Sequence, residues 1–597
     1  MVSRSRALYR RVRGTVADDL RADPYLPYVL LLAVVLCSFW FWHRIPNFAT
    51  RDEKSRLFDA MVPIGRVLAE PSIESLQNGV EWSRVPFGAT LYLNALALLP
   101  VVIVAALVGD LSAFTDLGYP SYEFGFYPAW AATPEWIWTW SLAFVRLFNV
   151  AFAIGAVYLT YRIGTAARDR ATGRLAALLL TLTFGFLTIA HEGGEDMPAL
   201  FFTLLALYLV LRYVQTGDGT AFLAGSAAGG VAIAFKLTAA PVVLLIGLAY
   251  LLRAHSADAD AVDVLLQPKL LLGGGIFGLV AILLGFPTLL VGGVDLFVAR
   301  VFEGSAGRMT HPTGPDAPIW WWFLRGYFSA LSLPLFAAAL VGVVASLESV
   351  RDRATSTHAV ALAFAALTAY LLLFSRWHDF RVHHLLPTFP LIAVLLALSL
   401  VRFRERNPNI AAPLIALLVV TTGIYAGYGT AGFASMPRDQ AEAWLEDDAD
   451  ENATLEVYRR DFQDAAIPHG MRVNHLFGEE DEAEEASIDP CPEYIQLGYR
   501  DLLYLKDGTY FRNGEAQKRY VRELLSGEYN YRIAAEFGPR PPNFVPDRPT
   551  PGSLTELFRL GLVPQTDQFA DEQELAANQY TVILRQTGGC GYRIAPF

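Results

Sequence analysis

Lysine is nearly missing from this chain: it supplies five of the 47 basic residues, and arginine the rest. Positive charge is also outweighed, the formal net charge being −11. That balance excludes a nucleic-acid partner, since phosphate backbones need a basic face. An acidic surplus with scarce lysine instead suits water-facing parts bathed in high salt, as in a halophilic source. Cysteine numbers only three. Cys37 lies in an apolar run, and Cys491 with Cys590 can pair if their segment is extracellular, though only their number argues for it. No small-residue cleavage site follows the basic N-terminal stretch (Arg4, Arg6, Arg10, Arg11, Arg13), so residues 1–24 read as a cytoplasmic tail ahead of a signal anchor. No internal repeat is found.

What the chain has in abundance is apolar length. It is 54% hydrophobic and 13% aromatic, with a mean hydropathy of +0.34. The apolar residues fall in runs of about 16 to 25, enough to cross a bilayer core at 1.5 Å per residue. We place eleven spans at approximately 25–43, 142–163, 174–190, 198–214, 220–236, 237–252, 269–291, 319–347, 357–375, 385–401 and 410–433. The run 87–108 is long enough to cross, yet it is read as a juxtamembrane helix. Leaving it out puts the Arg-rich connections (Arg162 to Arg174, Arg212, Arg253, Arg351, Arg402 to Arg406) on the N-terminal, cytoplasmic side. The alternative is that it spans and another boundary is wrong.

The fold class expected is an all-α polytopic membrane bundle of about eleven transmembrane helices over 25–433, with a small C-terminal soluble α+β domain at 434–597. The first external loop is 44–141. Residues 478–489 form an acidic block that reads as surface or disorder. On this topology the ionisable residues other than loop arginines collect on the outer side. Such groups are expensive at membrane depth, so one-sidedness is the functional clue. No pair of interrupted helices of the transporter kind is evident in the sequence.

The order of motifs on that side carries a resemblance. Arg51-Asp52-Glu53 opens the first loop, Val85-Pro86-Phe87 precedes the juxtamembrane run, and Arg146-Leu147-Phe148 opens the second span. His191-Glu192 to Asp196-Met197-Pro198, Phe235-Lys236-Leu237-Thr238 and Arg381 to Pro387 follow in turn. Over 25–433 this order resembles the type-C glycosyltransferases (GT-C) that use polyprenyl-phosphate sugars, among them the protein O-mannosyltransferases and the lipid A aminoarabinose transferases. Val85-Pro86 departs from the family's His-Pro-Pro, and the mannosyltransferase sugar-binding insert is missing, which leaves the acceptor open.

The resemblance implies an inverting transfer from a polyprenyl (dolichyl) monophosphate sugar to an extracytoplasmic glycan, protein or lipid. Such a reaction needs a carboxylate base for the acceptor hydroxyl and positive charge for the leaving phosphate. It implies Asp52 and Glu53 as catalytic, and Arg146, Lys236, Arg308, Arg381 and His384 as donor-phosphate contacts. His191, Glu192, Asp196 and His311 would line the acceptor or sugar pocket. No cofactor is expected; a divalent metal is the lesser alternative, since the spacing matches no standard zinc pattern. Plainer readings stand beside these. Thr50 to Glu53 fits a capping box, Asp196 an N-cap, Arg146 a snorkelling side chain and Lys236 a turn. The competing functional classes are a secondary transporter and a non-enzymatic membrane assembly protein.

Overall fold

The computed structural model describes residues 2–83, 88–255, 261–291, 293–299, 316–348, 356–377, 381–450, 452–477, 489–507, 514–564, 579–589 and 593–597. A segment in lipid must satisfy its own backbone hydrogen bonds, so the apolar runs fold as helices. In chain order these are α1 (Val2–Ala22), α2 (Leu26–Ser38), α3 (Arg51–Ala69), α4 (Gly88–Val108), α5 (Glu135–Ala167), α6 (Arg170–Thr181) and α7 (Phe184–Ala190). There follow α8 (Asp196–Thr216), α9 (Gly219–Phe235), α10 (Pro241–Ala254), α11 (Pro268–Gly285), α12 (Ile319–Leu331) and α13 (Leu333–Ser346). The bundle closes with α14 (Ser356–Phe374), α15 (Thr388–Arg406) and α16 (Pro408–Ala431). Among the described residues seven helical stretches are long and apolar enough to cross a membrane, or up to ten if each bent pair is one span. The chain is a multi-pass membrane protein.

Polar contacts sort the two ends of this bundle. At one end Asp19 accepts from Tyr158 and Arg162, while Asp23 accepts from Tyr161 and pairs with Arg174 at 3.3 Å. Arg168 meets Glu405 there. At the other end His191 and Arg146 meet the chain leaving α2, and Lys236 after α9 meets Asp196 at the start of α8.

The apolar helix α4 is held by both tips at the Lys236 end. Gly88 abuts the Gly285 carbonyl at the close of α11, where a Cβ would lie 1.5 Å from the oxygen. At the far tip Asp110 accepts from Trp136 Nε1 at 2.9 Å, on the part of α5 that runs beyond Arg146. Between them Tyr92, Leu96, Leu99, Ile103 and Leu107 form an exposed helical stripe. By length and composition Gly88–Val108 is also one of the seven stretches able to cross a membrane.

Two of the expected single spans are broken. α6 and α7 meet at 64°, and α12 and α13 at 111° across Ser332, whose φ is +67°. The breaks touch, with Gly185 of α7 packed so tightly on Ala330 that a Cβ would approach it to 2.4 Å. Interrupted helices are thus present where the sequence reading found none. The signal was Pro334, which fits the first turn of a new helix better than the middle of an old one.

After α16 comes α17 (Pro437–Asp448) and a five-stranded sheet of β1 (Thr454–Val457), β2 (Arg472–His475), β3 (Tyr494–Gly498), β4 (Tyr531–Phe537) and β5 (Thr581–Gln586). Its order is β2-β1-β3-β5-β4, parallel about β1 and antiparallel about β5. Cys491 is disulfide-bonded and Cys37 is free; Cys590 lies outside the described residues. The sheet does not stand apart. Phe48, Phe58, Trp130 and Trp138 of the first loop share one core with Leu455, Phe462, Ile467 and Ile583. A second contact inserts Leu560 beneath the α12–α13 break, its carbonyl accepting from Tyr425 at 2.5 Å.

Candidate active site

α3 opens as its sequence suggests. Thr50 is extended and its hydroxyl accepts from Glu53 N at 3.0 Å. Glu53 reaches back one residue further, to Ala49 N at 2.9 Å. The same carboxylate accepts Arg146 Nε and Nη2 at 2.7 and 2.8 Å, and Gly193 N at 2.8 Å. Arg146 is wholly enclosed, and its Nη1 donates to the carbonyls of Phe41 and His43. Four of the five guanidinium N–H groups are engaged and the side chain is fully buried, so a phosphate has no approach to it, and the Glu53 carboxylate is bonded on both oxygens. The expected phosphate contact Arg146 and the expected catalytic Glu53 therefore form a buried brace tying α2, α3, α5 and the 191–196 loop.

Asp52, one residue away, is different. It is half-buried and has no hydrogen bond or ion pair with any described residue. Its charge is felt by Arg56, Glu192, Asp196 and Lys236, so those five side chains share one neighbourhood. The structure thus assembles Asp52, Glu192, Asp196 and Lys236 from three separate stretches of sequence.

The loop between α7 and α8 brings the acids in. Asn149 Nδ2 holds it by donating to the carbonyls of Glu192 and Gly194 at 2.5 and 3.2 Å. Glu195 takes both prongs of Arg56, at 2.8 and 2.9 Å. Burial alone would raise the Glu195 carboxyl, but the Arg56 charge and its hydrogen bonds outweigh that and hold it low. Glu192 has no such partner. Burial, and then the charges of Asp196, Asp52 and Glu53, push its carboxyl well above the usual range, and its Oε2 has no hydrogen bond. Both causes favour its protonated form. Lys236 Nζ lies 2.5 Å from Asp196 Oδ1. Burial opposes its charge, yet Asp196, Glu195 and Asp52 together raise it, so the amine stays protonated. Asp52, the raised Glu192 carboxyl and the Lys236 cation therefore lie in one neighbourhood.

Other expected site residues lie elsewhere. His191 points inward, its Nδ1 and Nε2 each 2.7 Å from the carbonyls of Leu187 and Phe39 and its ring stacked on Phe433 at 4.2 Å. Burial lowers its pKa to about 4, so the ring is neutral and donates to one carbonyl only. It is a wall residue rather than a pocket residue. His384 Nδ1 accepts from Arg381 N at 2.9 Å and its ring packs beside Trp377, on a short turn lying against α7 and α12. Arg308, His311 and Val85-Pro86-Phe87 lie outside the described residues. Among the described residues no three His, Cys, Asp or Glu side chains are grouped to hold a metal ion.

The sequence reading missed Arg56, Asn149 and the pairing of Lys54 with Asp461. Arg56 stands one helical turn after Asp52, a spacing that puts both on one face of α3; nothing in the sequence marks the other two.

Comparison with known proteins bears on the membrane part. Residues 137–285 match the family model described as dolichyl-phosphate-mannose-protein mannosyltransferase. No curated protein matches the chain. Among solved structures, ArnT from Cupriavidus metallidurans bound to undecaprenyl phosphate is 15% identical, with 70% of this chain and 72% of that one covered at a TM-score of 0.44. The archaeal oligosaccharyltransferase AglB from Archaeoglobus fulgidus, in complex with an inhibitory peptide and a dolichol-phosphate, is 11% identical, with 95% and 89% covered at a TM-score of 0.46. Those likenesses are distant. The stretch from α5 to α11, which holds Arg146, Glu192, Asp196 and Lys236, is the stretch the family model matches.

Proposed function

We propose that this chain is an inverting glycosyltransferase that takes a sugar from a polyprenyl (dolichyl) monophosphate and passes it to an extracytoplasmic glycan, protein or lipid. The observation that carries the reading is Asp52: a half-buried carboxylate without a hydrogen-bond or ion-pair partner among the described residues, beside the paired Arg56–Glu195 and Lys236–Asp196. The matched description, a dolichyl-phosphate-mannose-protein mannosyltransferase, supports the donor class. With the Arg-rich Asp19 end cytoplasmic, as the positive-inside rule requires, the site and the C-terminal domain face outward. Nucleotide sugars are not made there, which favours a lipid-borne donor.

Asp52 takes the proton of the acceptor hydroxyl, whose oxygen then attacks the anomeric carbon. The bond from that carbon to the phosphate oxygen breaks on the opposite face, and the phosphate leaves with the electron pair. Lys236 supplies fixed positive charge for it, in a site where that charge needs no reorganisation.

A second reading has one observation in its favour. The α6–α7 and α12–α13 breaks pack on each other, as interrupted helices of a secondary transporter do. Against it, Gly561 of the C-terminal domain packs closely on Leu333 at the second break. Transfer of labelled sugar from a polyprenyl-phosphate donor in membranes decides, with wild type set against Asp52→Asn. Loss of a general base lowers the rate about 10²- to 10⁴-fold. Equal transfer by both proteins refutes the role of Asp52; substrate flux without transfer from any lipid donor refutes the function.

A further inference from the structure

Every first-turn residue of α3 except Asp52 is gripped from elsewhere. Glu53 is held by Arg146, Gly193 and Ala49, as described. Arg51 and Lys54, on either side, are held by one residue of the C-terminal domain. Asp461, fully buried, pairs with Arg51 Nη2 at 2.7 Å and with Lys54 Nζ at 2.9 Å, and it accepts from the Tyr122 hydroxyl. Lys54 is itself fully buried, and Gln463 Oε1 takes a second of its protons at 3.2 Å. The fit is close: at Gly125 (φ +67°) a Cβ would lie 2.6 Å from Lys54 Nζ and 2.9 Å from Asp461 Oδ1. A carboxylate gripping positions 51 and 54 spans one helical turn, so it fixes both the axis and the rotation of the helix start. The Cα–Cβ direction at position 52, between them, is thereby set.

We infer that Asp461 is a positioning residue: through Arg51 and Lys54 the C-terminal domain aims the Asp52 carboxylate. The inference rests on the reading of Asp52 as the base, and it makes the C-terminal domain part of the transfer apparatus. The shared core presses the domain onto the first loop, and the Asp461 contacts convert that apolar contact into a defined orientation.

The test uses the full chain in membranes, with Asp461→Asn and Arg51→Gln. The Arg51 side chain is 48% exposed, so its loss leaves the interior intact even if Asp461→Asn fails to fold. Two readouts are taken: backbone amide exchange over residues 50–58, which needs no activity, and kcat separately from donor KM. In Asp461→Asn we expect exchange on the order of tenfold faster and kcat lower by on the order of a hundredfold, with donor KM little changed. Arg51→Gln is expected to move both the same way by less. Wild-type exchange in the folded variants overturns the strut. Faster exchange with unchanged kcat, or a loss confined to KM, overturns its aiming of Asp52. Absence of transfer by wild type refutes the glycosyltransferase reading instead, and the exchange result still decides whether the strut exists.

Discussion

Arg56 and Glu195 meet in a two-pronged ion pair that joins α3 to the loop ahead of α8. Their residues are 139 positions apart, and both side chains are buried. This pair, with the Glu53–Arg146 brace, makes one rigid piece of α3 and the acid-bearing loop.

Breaking that pair leaves a buried charge without its partner. Arg56→Met is expected to cost about 3–5 kcal/mol of stability, read as a lowered midpoint of chemical denaturation in detergent. The double variant Arg56→Met/Glu195→Met is expected to recover most of the loss. Additive losses would show that the two residues do not act as a pair.

Glu192 gives a pH signature. Its native carboxyl is pushed above its ordinary value, so between the two values the native state holds a proton the unfolded chain has released. Wild-type stability therefore falls as pH rises above the usual carboxylate range, by up to about 1.4 kcal/mol per unit. Glu192→Gln lacks that slope. Its unfolding midpoint is expected to match wild type near pH 4.5 and to lie above it at pH 8; parallel curves would contradict a neutral Glu192. Glu195 has the opposite sign, contributing stability above the carboxylate range that is lost as pH falls through its depressed value.

Lys236 tests the leaving-group role. If its charge serves the departing phosphate, Lys236→Met is expected to lower kcat by about 10²-fold and leave acceptor KM unchanged. A turn residue alone would shift the unfolding midpoint and spare the rate.

Orientation is tested by labelling. With α4 read as a juxtamembrane helix, Pro120→Cys is expected to react with an impermeant reagent added outside intact cells. Reaction only after the membrane is opened would reverse the topology.

Much of this arrangement was legible because the cost of charge in lipid leaves a record in the sequence. Asp52, Glu192, Asp196 and Lys236 could be grouped before any coordinates, since arginines in alternate connections fix which ends lie together. The expected α+β character of the C-terminal domain likewise appears, with β3 and β5 in its sheet. What stayed hidden was which charges neutralise one another. Arg146 read as a free cation because its partner Glu53 lies 93 residues away, and Lys54 read as unremarkable because Asp461 lies 407 away. Periodicity reports on neighbours within a turn or two; a buried ion pair between distant segments has no period. The α12–α13 break escaped for a related reason: hydropathy averages across a window and does not register a bend at Ser332.

The core shared by the first loop and the sheet sets an order on synthesis. Phe58 and Trp138 emerge from the ribosome more than 300 residues before Leu455 and Phe462. At about 5–20 residues per second, the loop's aromatic face waits tens of seconds for the strands that will cover it. During that interval the later membrane helices are being made while the loop stays uncovered. Biogenesis of this chain therefore calls for something to shield those rings, and a truncation lacking the sheet leaves them bare for good.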